Sequence, residues 1–456
     1  MPKQENFDKI KHMTNFIKQK AWIVSVNMGY GHQRTAYPLK LFAFKRKIVN
    51  ANSYQGVSFG DQKIWSSSKN FYEFISRFKR VPIIGPLCFS LYDRYQRILS
   101  FYPKRDLSKP DSSLRNFYSL FKKGWGRDLV EKLKRASLPS AQVDGQAIPI
   151  ISTFFIPAFM AEFFRYPGDI FCVVCDADIA RPWAPLMPFS SKIKYFAPNE
   201  RVVERLKLYG VDPENIFLTG YPLPLENIGS EKLEILKGDL AERLLILDPK
   251  KKYFQRYQSL IKRYLGGLPK KATRPLTLTF AVGGAGAQKE IGAKILKSLR
   301  NKIKEEKIKI ILVAGTRAKV NEYFLKQIKD LGLEDSFNKN VEIIFKEEIG
   351  EYFESFNLAL RKTDILWTKP SELSFYTALG LPIVLAPCIG SQENFNRDWL
   401  LRLGSATKQE DPNYTNEWLF DLLDSGWLAE AAMEGFIEGE KRGIFNIQKV
   451  IHSGKL

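Results

Sequence analysis

Short apolar runs recur along the chain, each closed by turn residues and most followed by a stretch with helical periodicity. The first, "AWIVSV", predicts a strand over Trp22–Val26, and "NMGYGHQRTAYPLKLF" after it predicts a glycine-rich turn leading into an amphipathic helix. Further strand-like runs are "AIPIIST", "IFCVVCD", "KYFAP" and "IFLTGYP", with the helical "NERVVERLKLYG" and the turn "VDPEN" between the last two. Near Pro222 this alternation stops. Residues from about 226 to 272 read as charged helix, and the alternation then resumes with "LTLTFAVGGAGAQKE", "IKIILVAGT", "VEIIF", "TDILWTK" and "LPIVLAP". Trp427 to about Lys449 reads as one long helical stretch.

Strands that alternate with helices imply a mostly parallel sheet covered on both faces. Two such series predict two doubly wound α/β domains, an N-terminal one over 1–225 and a C-terminal one over 226–430, with a terminal helix over 431–456. A length of 456 residues fits two domains better than one core. Ligands of such sheets bind at the carboxyl ends of strands, and two such edges can face each other across a cleft.

Composition narrows the partners. The net charge of +21 favours an anionic partner: nucleic acid, anionic lipid or a phosphorylated small molecule. Phe71–Ala136 holds 15 Lys and Arg against 6 Asp and Glu, and its first half, Phe71–Asp106, is dense in Phe, Tyr and Ile. That mixture suits an anionic membrane surface, or else an ordinary solvated face. RNP, zinc-finger and helix-turn-helix patterns are missing, so nucleic acid is not expected. The apolar "AIPIISTFFIPAFMAEFF" (Ala147–Phe164) is broken by Pro149, Pro157 and Glu162, and reads as strand, turn and packed helix instead of a membrane span. The N-terminus is polar through Lys20, so no signal peptide is expected, and four cysteines suggest a reducing cytosol.

Three constellations carry candidate chemistry. In "NMGYGHQRT", Gly29 and Gly31 allow a tight turn beside a ligand, and His32 stands at its mouth as helix cap or general base. In "TFAVGGAGAQKE", Gly283, Gly284 and Gly286 follow a strand and precede a helix, which presents N–H groups to a diphosphate or simply packs strand against helix. It lacks the Gly-Lys-Ser/Thr of a P-loop and the full dinucleotide fingerprint. Third, "TKPSELSFYTALGLP" and "APCIGSQENFN" place Ser371, Glu372, Gln392, Glu393 and Asn396 at or beyond two strand ends, as hydroxyl ligands or as helix caps.

Together, "GYGH", "CDADIARPW", "YFAPNERVVERLKLYGVDPENIFLTGYPL", "VGGAGAQ" and "TDILWTKPSELSFYTALGLPIVLAPCIGSQENFN" resemble, in order, the two-domain GT-B glycosyltransferases of the inverting lipid-sugar branch. That branch contains the peptidoglycan N-acetylglucosaminyl transferase, monogalactosyldiacylglycerol synthase and bacterial diacylglycerol glucosyltransferases. The resemblance implies two Rossmann-like domains facing across a cleft, with a C-terminal helix crossing back. It implies transfer of a sugar from a nucleotide-sugar donor, a UDP-sugar by family, to a lipid or lipid-linked acceptor at the cytoplasmic face of the membrane, without cofactor or metal. It places His32 as base near the acceptor hydroxyl, with Gly29, Gly31 and Asp176 on the acceptor side. Gly283, Gly284, Gly286 and Gln288 would surround the diphosphate, Ser371 and Glu372 the ribose edge, and Gln392 and Glu393 the sugar; backbone near Phe345 and Lys346 would border the base. The family's ribose-binding glutamate corresponds to Phe375, and the carboxylate here is Glu372, one helical turn earlier. Two alternatives stay open: a nucleotide-sugar 2-epimerase on the same fold, and a membrane-associated protein without donor affinity. "DAD" (Asp176–Asp178) also matches a D-x-D metal motif, which this branch does not use. Cys172 and Cys175 in one strand are not expected to act as a redox pair.

Overall fold

The computed structural model describes residues 20–66, 97–136, 147–283 and 286–456. The chain forms two compact units, one comprising Met1–Pro222, Ile389–Phe395 and Arg442–Leu456, the other Leu223–Cys388 and Asn396–Lys441.

The first unit runs β1 (Ala21–Ser25), α1 (Tyr30–Leu39), β2 (Ala43–Asn50), α2 (Ser112–Lys122), α3 (Arg127–Ala136), β3 (Ile150–Ser152), α4 (Phe155–Phe163), β4 (Ile170–Val173), β5 (Lys194–Ala197), α5 (Glu200–Leu208) and β6 (Ile216–Leu218). Its sheet is parallel throughout, in the order β2-β1-β3-β4-β5-β6. β1, β3 and β4 are buried along their whole length, because helices cover both faces, which is why they read as unbroken apolar runs. The Ala147–Phe164 stretch becomes β3 and α4, as its prolines predict. Among the described residues no helix is long and apolar enough to cross a membrane.

The second unit continues with α6 (Leu225–Ile228), α7 (Glu234–Leu247), α8 (Lys252–Leu265), β7 (Leu276–Ala281), α9 (Lys289–Lys304), β8 (Ile308–Gly315), α10 (Ala318–Asp330), β9 (Val341–Phe345), α11 (Ile349–Leu360), β10 (Ile365–Thr368), a 3-10 helix (Glu372–Leu379), β11 (Ile383–Leu385), α12 (Ser391–Arg402), β12 (Ala406–Lys408), α13 (Thr415–Ser425) and α14 (Trp427–Glu438). Its sheet order, β12-β11-β10-β7-β8-β9, is again all parallel. Strand order reverses between β7 and β10 here, and between β1 and β3 in the first unit. Two doubly wound Rossmann-like sheets are the α/β GT-B pattern, and each reversal is the point at which such a sheet offers a ligand crevice.

Three elements differ from the sequence reading. β2 was not expected: it is an edge strand carrying exposed Lys45, Arg46 and Lys47, with Lys45 and Arg46 at positive φ, so its apolar alternation is broken. The C-terminal helical stretch is two helices, because Gly439 turns extended at φ −75°, ψ 131° and ends α14. A second helix, α15 (Gly443–Ser453), begins after Arg442 and belongs to the first unit. There its start lies so close to β6 that a Cβ on Gly443 would stand 2.2 Å from the Tyr221 carbonyl oxygen, and Asn446 donates to Thr219 O at 2.9 Å. Thirdly, Glu372–Leu379 is a 3-10 helix and not an α-helix. The basic-aromatic stretch is outside the described residues from 71 to 96, and Gly284 is outside them as well.

Candidate functional site

At the switch point of the first sheet, β1 and β3 lie side by side, with Val24 paired to Ser152. The chain beyond β1 turns at Gly29, whose φ of +101° is left-handed and disfavours a side chain even though space is open there. Asn27 and Asn52 exchange hydrogen bonds of 3.0 and 3.2 Å that pin this turn. α1 then begins at Tyr30, so Gly31 and His32 fall in its first turn.

His32 is half-buried and does not cap the helix with its ring. Its Nδ1 is 2.8 Å from the carbonyl oxygen of Thr153, the residue directly after β3. A carbonyl only accepts, so Nδ1 carries a proton, and in the neutral form of the ring the lone pair falls on Nε2. Thr153 fixes the arrangement twice more: its hydroxyl donates to His32 O at 2.9 Å and accepts from the Ser25 hydroxyl at 3.1 Å. The ring packs on Phe154 at 4.6 Å between centroids and on Trp183 at 6.4 Å, with Cys175 Sγ 3.5 Å from Nδ1. Asp176, half-buried, follows β4 on the same edge.

The D-x-D pattern does not form a pair of ligands. Asp178 is 3% exposed and grips fully buried Arg205 through two bonds of 2.8 and 2.9 Å. Among the described residues no cluster of three or more potential metal ligands occurs.

In the second unit the corresponding switch point lies between β7 and β10, where Ala281 pairs with Thr368. The loop beyond β7 is drawn tight by a Gly286 N–H to Gly283 O bond of 2.7 Å, with Gly286 at φ +70°. Gly286 has no room for a side chain, whereas at Gly283 only the flexible end of a lysine stands in the way. A Cβ on Gly283 would meet Lys369 Cε at 2.7 Å, and one on Gly286 would meet Val320 at 2.9 Å. Gln288 sits left-handed just before α9 and donates from Nε2 to Pro387 O at 2.8 Å, tying this loop to the end of β11. Lys369, directly after β10, thus lies against Gly283, and the stem of Arg317, directly before α10, lies near Gly286.

Glu372 opens the 3-10 helix and is buried, while Ser371 precedes it without a side-chain capping bond. In a 3-10 helix residues i and i+3 eclipse, so Glu372 and Phe375 share a face one turn apart, with Glu372 nearer the strand end. Phe375, where the resemblance expects a carboxylate, is 3% exposed and packs on Trp399 at 5.0 Å. The helix is braced from behind by α14. Gly435 and Gly439 lie one turn apart, and a Cβ on either would clash, at 2.3 Å from Thr377 Oγ1 and 2.6 Å from Ala378 Cβ. Its far end is gripped by Arg243, fully buried, which donates to Leu379 O at 2.7 Å, Gly380 O at 3.1 Å, Thr363 O at 2.8 Å and Leu360 O at 3.3 Å. Burial pushes the Arg243 guanidinium down to about 10, so it stays charged at neutral pH.

Gln392 and Glu393 stand in the first turn of α12, whose residues through Phe395 group with the first unit while the rest of the helix groups with the second. Glu393 is buried and accepts the Ile389 N–H at 2.6 Å, a helix-capping bond. Asn396 donates to Pro370 O at 3.4 Å. Lys346 donates its N–H to Gly315 O at 3.0 Å, joining the ends of β8 and β9. Among the described residues, then, Gly29, Gly31, His32 and Asp176 gather on one sheet edge, and Gly283, Gly286, Gln288, Ser371 and Glu372 on the other. Thr153, Lys369 and Arg317 were not anticipated; the position of each directly beyond a strand or before a helix was the only signal.

A family profile described as "Domain of unknown function (DUF6938)" matches residues 268–449. No curated protein sequence matches the chain. Among solved structures it is similar to MurG of Acinetobacter baumannii, with 13% identity, a TM-score of 0.45, and 95% of this chain and 99% of that one covered. It is also similar to MnaA of S. aureus solved with UDP, at 13% identity and TM-score 0.44, covering 74% and 80%. A UDP-GlcNAc 2-epimerase from Neisseria meningitidis bound to UDP-GlcNAc shares 14% identity at TM-score 0.42, covering 76% and 83%.

Proposed function

We propose that the chain is an inverting GT-B glycosyltransferase that moves a sugar from a nucleotide-sugar donor, by resemblance a UDP-sugar, to a lipid or lipid-linked acceptor on the cytoplasmic face of a membrane. The observation that carries the proposal is the fixed tautomer of His32. A glycosyl acceptor is a neutral hydroxyl, and inverting attack needs its proton removed as the new bond forms. The Thr153 carbonyl holds the proton on Nδ1 and presents Nε2 as the accepting atom. Phe154 and Trp183 beside the ring, backed by Phe155, suit an acceptor with an apolar body.

The leaving group is a nucleoside diphosphate, whose growing charge must be met. Gly283 and Gly286, the start of α9, and the side chains of Lys369 and Arg317 supply positive ends and charges for that purpose, with Gln288 holding the loop. Glu372 takes the ribose-side role one 3-10 turn before the position that the resemblance predicts, and Gln392 with Glu393 that of sugar recognition.

Incubation of the full chain with UDP-glucose, UDP-galactose or UDP-N-acetylglucosamine and a diacylglycerol, with products separated by mass, tests the reading. The expected result is a glycolipid of inverted anomeric configuration whose formation falls by about 10²–10⁴ in His32→Gln. An epimerised nucleotide sugar formed from donor alone would overturn it, and so would the failure of UDP and other nucleotides to bind in calorimetry.

A further inference from the structure

The helix that carries His32 has few stabilising devices of its own. α1 has no side-chain capping bond at its start, no acidic residue in its first turn, and Pro38 among its ten residues, which removes a backbone donor. Hydroxyl groups hold the turn instead. The peptide that follows His32 is held through its carbonyl oxygen by the Thr153 hydroxyl at 2.9 Å. The peptide that precedes it is held through Gly31 O, which accepts from Thr35 Oγ1 at 2.8 Å. A threonine that bonds back four residues in this way can still accept at its own oxygen.

Thr35 Oγ1 lies 3.1 Å from the Tyr221 hydroxyl, and both side chains are buried. Thr35 has one hydroxyl proton and donates it to Gly31, so Tyr221 is the donor of this bond. A directed chain results, from Tyr221 O–H to Thr35 O–H to the carbonyl on the amino side of His32. Each donor polarises the next, which strengthens the series in a buried setting. The far end is fixed as well. Tyr221 lies just beyond β6, where Gly443 of α15 leaves no space for a Cβ beside Tyr221 O, and Asn446 donates to Thr219 O at 2.9 Å.

We propose that Tyr221 is a positioning residue for His32, acting through Thr35, so that the ring is aligned only while residues 219–221 are seated against α15. This rests on the reading of His32 as the base. Without the phenol O–H the Gly31–His32 peptide can tilt, and the ring then loses its bond from Nδ1 to Thr153 O. The donor contacts assigned above are on the second unit, so the rate of transfer falls and donor affinity does not.

Two measurements test this, one of them independent of activity. In the full chain labelled with 15N-histidine, long-range 1H–15N spectra report which ring nitrogen of each of the three histidines carries the proton, and His32→Gln assigns the signal. At alkaline pH the wild type should show His32 protonated at Nδ1, and Tyr221→Phe should mix in the form protonated at Nε2. In the transfer assay Tyr221→Phe should lower kcat about tenfold with donor KM unchanged. Thr35→Val should do the same, the double variant should lose nothing further, and Thr35→Ser should recover the rate. Tyr166→Phe, which deletes another buried hydroxyl, one that donates to Ile148 O at 2.6 Å, should change neither reading. A His32 spectrum unaltered in Tyr221→Phe overturns the proposal, as do additive losses in the double variant or an equal effect of Tyr166→Phe. If the wild type transfers no sugar, the reading of His32 as base fails, and the spectra alone still decide whether Tyr221 positions the ring.

Discussion

Replacing Arg243 by methionine tests how the second unit holds its candidate edge. The guanidinium donates to four carbonyl oxygens, two of them ending the 3-10 helix that begins with Glu372 and one just before β10. Bonds from a charged donor contribute about 1.5–2 kcal/mol each, so losing four removes about 6–8 kcal/mol. Methionine keeps the apolar stem but avoids the desolvation that lowers Arg243 to about 10, a relief on the order of 3 kcal/mol. The net expectation is a loss of about 3–5 kcal/mol, in line with breaking a buried charged network. In urea, with a slope of about 2–3 kcal/mol per molar for a domain of this size, the midpoint of the second unit's transition should fall by about 1.5 M. Trp367, buried against Trp418 at 5.2 Å, reports that transition by fluorescence. Arg243→Lys should fall between, since an ammonium cannot reproduce the planar fork. A shift under about 0.5 M for Arg243→Met would refute the claim that these bonds secure the edge.

Three further outcomes are expected. Glu372→Ala should raise the UDP dissociation constant about tenfold with partial recovery in Glu372→Gln, and an unchanged constant makes the glutamate structural. Asp178→Ala leaves Arg205 buried and unpaired, so stability should drop by about 3–5 kcal/mol, while EDTA leaves both stability and activity unaltered; activity lost to EDTA would restore the metal reading. Glu434 is pushed above the usual carboxylate range by burial and by neighbouring Glu438 and Glu430. The folded state then holds its proton more tightly than the unfolded one, so the penalty is absent in acid and grows as pH rises through and above the ordinary carboxylate range. Glu434→Gln should therefore stabilise by up to about 1 kcal/mol at pH 7 and by nothing near pH 3, and denaturant midpoints at the two pH values check it.

Most strands could be read directly because central strands of a parallel sheet are apolar on both faces, and "LTLTF" or "IFCVV" can be little else. β2 could not be read, since an edge strand that exposes Lys45–Lys47 has no such constraint. His32 stood out by rarity and by its glycine-flanked turn. Its partner did not, because the bond goes to a backbone carbonyl that any residue at 153 could supply. Lys369 was visible as a residue but not as a neighbour of Gly283, since that approach depends on β7 and β10 being adjacent in the sheet while separated by more than eighty positions in sequence. The three-residue spacing of Glu372 and Phe375 was visible in the sequence, but not the tighter 3-10 winding that puts them on one face, in a helix packed against Gly435 and Gly439 and held by Arg243 from elsewhere in the unit.

The path of the chain bears on how such a protein can be inherited. The first unit is assembled from three separate stretches of sequence, the last of them α15, and Asn446 and Gly443 close directly on the end of β6. A genetic crossover near residue 222 would therefore not deliver an intact half to either descendant: the exchanged downstream piece would carry away the helix that finishes the upstream unit. Variation in one half must stay compatible with a closing helix encoded beyond the other, so the two halves are bound to evolve as one gene.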